Sequence, residues 1–180
     1  ARVRRVDAQT HVITTVAGTG VRGMSGDGGP ATSARVNSPR GVALDAAGNL
    51  YFSDSDNARV RRVDAQTHVI TTVAGGRPPE YDEDNQPAIN AYLDSPDGIA
   101  LDSVGNLYIA EGRKHRVRRV DAQTQVITTV SGIPPIFGYN GDNQPATKAW
   151  LKQPFGVALD AAGNLYIADT FNGRVRRVTK

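Results

Sequence analysis

ARVRRVDAQTHVITTVAG, residues 1–18, recurs letter for letter at Ala58–Gly75. It returns at His115–Gly132 as HRVRRVDAQTQVITTVSG, and its opening returns at Gly173–Val178 as GRVRRV. A second stretch keeps step with it: GVALDAAGNLY at Gly41–Tyr51, GIALDSVGNLY at Gly98–Tyr108 and GVALDAAGNLY at Gly156–Tyr166. Gly41, Gly98 and Gly156 are 57 and 58 residues apart. A fixed period of this length marks a modular array whose units bury their core against one another.

Each unit reads as four short strands. Gly41–Asp45 is a nearly continuous apolar run, as expected of a strand covered on both faces. Asp45-Ala-Ala-Gly48-Asn49 has the residues of a tight turn. Leu50–Asp54 is the second strand, and Ser55–Ala58 turns it into the third, Arg59–Val63. Asp64-Ala-Gln-Thr67 leads to the fourth, Val69–Val73, whose β-branched residues suit a pleated surface. Four antiparallel strands joined by short turns describe a β-propeller blade. The fold class expected is therefore all-β, with three blades' worth of strands in the chain.

The units are joined by connectors of more than twenty residues: Gly18 to Pro39, Gly75 to Pro96 and Gly132 to Pro154. Pro30-Ala-Thr-Ser-Ala-Arg-Val36 aligns with Pro87-Ala-Ile-Asn-Ala-Tyr-Leu93 and Pro145-Ala-Thr-Lys-Ala-Trp-Leu151. Proline at a first helical position, followed by spaced alanines, predicts one or two turns of helix in each. Asp27, Asp84 and Asp142 each precede the proline by three residues, where a carboxylate can face a helix N-terminus.

Composition adds bounds. Of 180 residues, 39% are hydrophobic, with 19 glycines, 10 prolines and no cysteine. Disulfide and thiolate chemistry are thereby excluded, and the redox compartment is left open. The formal net charge is +3. No stretch approaches the ~20 apolar residues of a membrane-spanning helix, no signal-peptide pattern is visible, and localisation stays unknown. The repeat begins and ends out of phase, which reads as an excised fragment or an engineered assembly. The expected organisation is one domain over 1–180: a partial blade at 1–18, blades with connectors at 19–75 and 76–132, and a partial blade with its connector at 133–180.

GVALDAAGNLYIAD followed by N-x-R-V-R-R-V, with the connector SGDGGPATSARVNSP, resembles the NHL-repeat family of β-propellers. The resemblance covers essentially the whole chain and recurs three times. It implies a six-bladed habit and a role as an interaction platform. It also implies a bacterial origin and allows an extracytoplasmic setting. Some members of the family bind RNA, and distant relatives are lyases. The identical copies at Ala1 and Ala58 read as consensus engineering or as a recent duplication.

Three blades cannot close a ring, and an open array exposes sheet faces and edges. Two chains would give six blades, so a homodimer sharing a blade between its ends is expected. The N-terminus offers a third and a fourth strand (Arg2–Val6, Val12–Val16). The C-terminus offers a first, a second and a third (Gly156–Asp160, Leu165–Asp169, Arg174–Val178). That makes thirteen strands where three blades need twelve, so one R-V-R-R-V copy is surplus.

Variation among the units falls on the second-to-third turns and on the connectors, which this topology assigns to one face, the top. Binding generally resides in loops held by a rigid scaffold. The candidate ligand-binding residues are therefore Tyr81 and Asp82, with Glu83 and Asp84 beside them; Arg113, Lys114 and His115; Phe137 and Tyr139, with Asn140; and Phe171. Aromatic residues and arginine are favoured anchors for protein, peptide or glycan partners. The alternative is that these loops differ because nothing constrains them.

The four R-V-R-R-V copies hold twelve arginines, and a basic face is the footprint of an RNA-binding alternative. Asp54, Glu111 and Asp169 close every second strand nearby, so structural Arg–carboxylate pairs are the main expectation. His11 and His68 share one repeat position, where the third copy has Gln125, which argues against a required base or ligand. No His/Cys/carboxylate spacing marks a metal site, and Glu80–Asp84 lacks the glycine and alternating carboxylates of a calcium loop. Ser25–Gly29 reads as turn chemistry. The several histidines on which the lyase relatives depend are missing, so no catalytic residue, cofactor or metal is expected and the chain reads as a non-enzyme.

Overall fold

The computed structural model describes residues 1–180. Strands β1 (Val3–Val6) and β2 (Ile13–Ala17) form a two-stranded sheet. Strands β3 (Pro39–Leu44), β4 (Leu50–Asp54), β5 (Arg59–Val63) and β6 (Ile70–Gly75) form a four-stranded sheet in that order. The next sheet holds β8 (Pro96–Leu101), β9 (Leu107–Glu111), β10 (Arg116–Val120) and β11 (Val126–Ser131), with the short β7 (Gln86–Pro87) on its outer edge. Strands β12 (Pro154–Leu159), β13 (Leu165–Asp169) and β14 (Arg174–Val178) make a three-stranded sheet. All pairings are antiparallel. The chain is thus a half-blade, two complete blades and a blade of three strands. Thirteen of its strands are blade strands, as the repeat arithmetic requires.

Local chemistry sets the turns. Asp64 Oδ1 accepts the backbone N–H groups of Gln66 and Thr67 and the Thr67 hydroxyl. Asp7 and Asp121 repeat the arrangement. This is the aspartate turn in which a side chain replaces a backbone acceptor. Asp45, Asp102 and Asp160 hold the first-to-second turns in a related way, each also taking an asparagine amide.

Three apolar layers join successive sheets. Val3, Ala17, Ala34, Val36, Phe52 and Ile70 fill the first. Val60, Ala74, Leu93, Ile99, Ile109 and Ile127 fill the second. Val117, Leu151, Leu165 and Ile167 fill the third. The innermost strands β3, β8 and β12 stand beside one another. A Cβ on Gly41 would lie 2.5 Å from the Asp97 carbonyl oxygen, and one on Gly98 would lie 2.5 Å from that of Phe155. Glycine at these positions is what lets the inner strands approach.

The connectors depart from expectation in three ways. The helix is a single 3-10 turn in each, Ala31–Ser33, Ala88–Asn90 and Ala146–Lys148, and the proline caps it instead of occupying its first position. A connector must turn back at once toward the inner strand, which leaves no room for a second turn. Nor does the connector stay on one face. It pairs with the outer strand of the blade that follows: the Gly28 N–H donates to the Ile70 carbonyl at 2.8 Å, and that of Asn85 to the Ile127 carbonyl at 2.9 Å. It thereby covers a sheet edge that would otherwise be open. Finally, Asp27, Asp84 and Asp142 do not face the helical turn. Each reaches a third-strand arginine: Arg61 at 2.7 Å, Arg118 at 2.9 Å and Arg176 at 2.7 Å. A guanidinium carries a full charge, and a three-residue turn offers only weak dipoles.

Candidate functional site

The arginine clamps are the most regular electrostatic feature. Arg61 is fully buried between Asp27 and Asp54, the latter at 3.4 Å, and also donates to the Ser25 carbonyl at 3.2 Å. Arg118 is fully buried too. It holds Asp84 and donates to the carbonyls of Glu83 (2.7 Å) and Tyr92 (3.2 Å). Arg176 meets Asp142, and Asp169 at 3.9 Å. Glu111 turns instead to Arg116 at 2.6 Å, and burial pushes its carboxyl above the usual carboxylate range against the pull of that guanidinium. Burial likewise pushes up Asp54. The expected pairing of strand-two carboxylates with strand-three arginines therefore holds in all three blades. The same carboxylates also hold the connector. Asp54, Glu111 and Asp169 accept the backbone N–H groups of Asn37 (2.6 Å), Asp94 (2.9 Å) and Lys152 (2.7 Å). These arginines tie each connector to its sheet.

The loop residues expected to bind ligand do not converge on one site. Asp82 pairs with Lys114 at 2.9 Å and with buried Arg116, while Arg77 lies over the Tyr81 ring at 5.7 Å. Arg113 is exposed and reaches Asp94 only at 3.9 Å. His115 lies 5.0 Å from the Phe137 ring, and its Nδ1 accepts the Gln153 backbone N–H at 3.1 Å. Burial and the Lys152 charge hold this imidazole below its usual pKa. An accepting Nδ1 places the proton of the neutral ring on Nε2. Tyr139 carries Arg174 over its ring at 3.9 Å and donates its hydroxyl to Asp142 at 2.9 Å. Phe171 meets Phe155 edge-to-face at 6.0 Å.

One constellation escaped the sequence reading. Arg40, Asp97 and Phe155 occupy the same repeat position at the start of the inner strands, and Arg40 pairs with Asp97. The signal was present as PRG, PDG and PFG, the one place where the inner strand changes character between copies.

The two ends of the chain differ from its middle at matched positions. Val120 is 5% exposed, whereas Val6 is 58% exposed; Ile127 is fully buried and Ile13 is 52% exposed; Val117 is fully buried and Val175 is 74% exposed. Val42 and Leu44 are likewise open, where Ile99 is buried. Two grooves mark the ends. One, of about 1010 Å³, lies between the half-blade and the first complete blade, lined by Val3, Thr14, Val42, Leu44, Leu50 and Val63. The other, of about 860 Å³, lies in the three-stranded blade between β14 and the Asp142–Ala146 segment.

Residues 3–81 match the teneurin NHL domain. The NHL repeat-containing protein 2 of Bos taurus is 29% identical over 148 residues, covering 77% of this chain and 20% of its own. The chain spans between 8% and 20% of the length of such curated relatives. Among solved structures, a protein of unknown function from Bacteroides thetaiotaomicron superposes with a TM-score of 0.77 at 19% identity, over 98% of this chain and 41% of that one. A virginiamycin B lyase from Staphylococcus aureus superposes with a TM-score of 0.55 at 17% identity, over 99% and 45%. These structures share the fold. Repeat, blade and relatives agree: the chain is an all-β array of propeller-like blades, similar to NHL-repeat proteins.

Proposed function

We propose that the chain is a non-catalytic NHL propeller scaffold. It closes with a second copy into a six-bladed ring and offers its variable loops to a protein, peptide or glycan ligand. The observation that carries closure is the matched set of apolar residues, buried in the middle of the chain and open at both ends. Burying them is worth roughly 25 cal/mol for each Å² of apolar surface. The two grooves are complementary in kind. The half-blade has a third and a fourth strand and an open side where a first and a second would stand, and the C-terminal blade has a first, a second and a third.

The loop reading rests on Tyr81, Phe137, Tyr139 and Phe171, all exposed aromatic side chains on connectors or second-to-third turns. Arg61, Arg116 and Arg118 are occupied by carboxylates inside the sheets, which takes them out of a phosphate-binding surface and favours the scaffold over the RNA-binding alternative. Light scattering tests closure first: a mass twice 19.2 kDa is expected, and a lone chain across micromolar concentrations overturns it. Peptide and glycan arrays test the loops. Binding that Tyr81→Ser or Phe137→Ser removes supports the ligand reading, and binding indifferent to both overturns it.

A further inference from the structure

A ring closed with a second copy would have a conflict at its seam. In the complete blades the third and fourth strands pair as Arg61↔Thr72, Arg62↔Thr71 and Val63↔Ile70, and as Arg118↔Thr129, Arg119↔Thr128 and Val120↔Ile127. In the half-blade, β1 already holds β2 in the same register: Arg4↔Thr15, Arg5↔Thr14 and Val6↔Ile13. The groove beside β14 lies between that strand and the Asp142–Ala146 segment, where a fourth strand would stand. Val12–Gly18 has the sequence of Val69–Gly75, which fills that place in the first complete blade. The connector on the groove's far side is that of the complete blades too. Asn85 donates to the Ile127 carbonyl and Ala88 to that of Gln125, and Asn143 and Ala146 stand at those positions. The partner's β2 therefore has a seat, but its inner edge is taken by its own β1. A strand has one such edge, so β1 and β14 compete for it.

Resting on the ring reading above, we infer that β1 is a built-in competitor. It covers the inner edge of β2 in the separate chain and is displaced by the partner's β14 when the ring closes. The contacts of the two strands decide which one leaves. Arg176 of β14 holds Asp142 and Asp169 and donates to the carbonyls of Gly141 (2.7 Å) and Trp150 (3.1 Å). Arg174 lies over Tyr139, and β14 pairs along five residues with β13. Arg4 and Arg5 of β1 are exposed, and no carboxylate lies within ion-pairing distance of either. Releasing β1 breaks four backbone pairings and loosens the bonds of Ala1 and Arg2 to the Gly20 and Thr19 carbonyls; it opens the seat of Val3, which the partner's Val175 would take from the same repeat position. Releasing β14 breaks an ion-paired network before anything replaces it. The exchange therefore opens at β1. The partner's Ile13, Thr14 and Thr15 then face Val178, Arg177 and Arg176.

Two cysteine pairs in the full chain, which has no cysteine of its own, test this. Thr14→Cys with Arg177→Cys joins neighbours across the seam, and both side chains are exposed in the separate chain. Arg5→Cys with Tyr166→Cys joins neighbours only if β1 stays and β14 leaves. Mild oxidation and non-reducing electrophoresis should give a covalent dimer with the first pair and none with the second. A covalent dimer from the second pair overturns the inference. So does a ring-sized mass with neither link, and the ring itself then survives. A monomeric mass removes the ring reading and this inference with it. A second measurement needs no cysteine. Arg4→Pro should lower the ring's dissociation constant several-fold by removing the competitor, and Arg176→Pro should raise it. The opposite signs overturn the inference.

Discussion

Arg118 in the middle blade and Arg176 in the C-terminal blade follow the same valine, face the same connector aspartate and donate to the same two kinds of carbonyl. Arg118 is fully buried and Arg176 is not. Arg4, at the same position in the half-blade, is exposed and has no carboxylate partner. One residue type in one local conformation thus occupies three environments, graded by how many strands and sheets surround it. Local structure is set by the repeat, and burial is set by neighbours the repeat cannot see. This is the behaviour of a quasi-one-dimensional array, whose units are stabilised by the interfaces they share.

The gradient can be broken at the arginines, where the largest effect is expected. Arg61→Ala or Arg118→Ala removes one member of a buried ion pair and strands the carboxylates. It should cost about 3–5 kcal/mol in urea unfolding, enough to threaten folding. Arg176→Ala, which leaves carbonyls and the buried Asp169 without a donor, should cost less, about 1–3 kcal/mol, while its blade is open. Arg4→Ala should stay within about 0.5 kcal/mol. Equal losses at all three positions would refute a gradient set by neighbours. If the ring forms, the loss at Arg176 should grow with protein concentration, because closure buries that arginine.

The apolar positions sharpen the same comparison with a smaller effect. Ile127→Ala opens a cavity in a filled layer and should cost about 2–4 kcal/mol. Ile13→Ala removes a half-exposed side chain and should change the dilute chain by less than about 0.5 kcal/mol. The pair separates packing from propensity, since both isoleucines sit in VITT strands of the same register. Ile13→Ala should matter only under conditions where light scattering finds the ring.

How much of this was legible follows from the same distinction. The strands Leu50–Asp54, Arg59–Val63, Leu165–Asp169 and Arg174–Val178 appear with the bounds expected of them, because period-two patterning and turn residues act over a few positions. The Arg–carboxylate clamps were half visible. Asp54, Glu111 and Asp169 announce themselves by recurring at strand ends. The role of Asp27, Asp84 and Asp142 depends on a connector folding back across some thirty residues, and no local spacing encodes that. The connector's addition to the outer strand was hidden for the same reason: Gly28-Gly29 and Asn85-Gln86 have no β-propensity, and their pairing is imposed by the edge they cover. Arg40, Asp97 and Phe155 were missed because attention to loops passed over the one strand position that varies. The candidate ligand residues lie on loops, but how they group depends on side-chain contacts that a one-dimensional comparison cannot order.

A control for the comparison is a feature that should not change from the ends to the middle. The aspartate turns at Asp7, Asp64 and Asp121 supply it. Each carboxylate accepts the N–H groups and hydroxyl of its own turn. The backbone N–H of Thr10, Thr67 or Thr124 is the main influence holding each one below the usual carboxylate range, in the case of Asp64 at about 2. Bonds that favour the ionised form lower the folded-state pKa beneath that of the unfolded chain, which then binds more protons in between. The stabilisation is complete above the ordinary aspartate value. It fades as pH falls from about 4 toward 2, the value held by Asp64. Carboxyl carbon shifts followed by NMR should show all three aspartates titrating below the usual range, in the half-blade as in the complete blades. Urea midpoints should fall across the same interval, and Asp64→Ala should flatten that fall. A normal titration at Asp7 alone would mean that even the turns need their neighbours, and that the half-blade is looser than its hydrogen bonds imply.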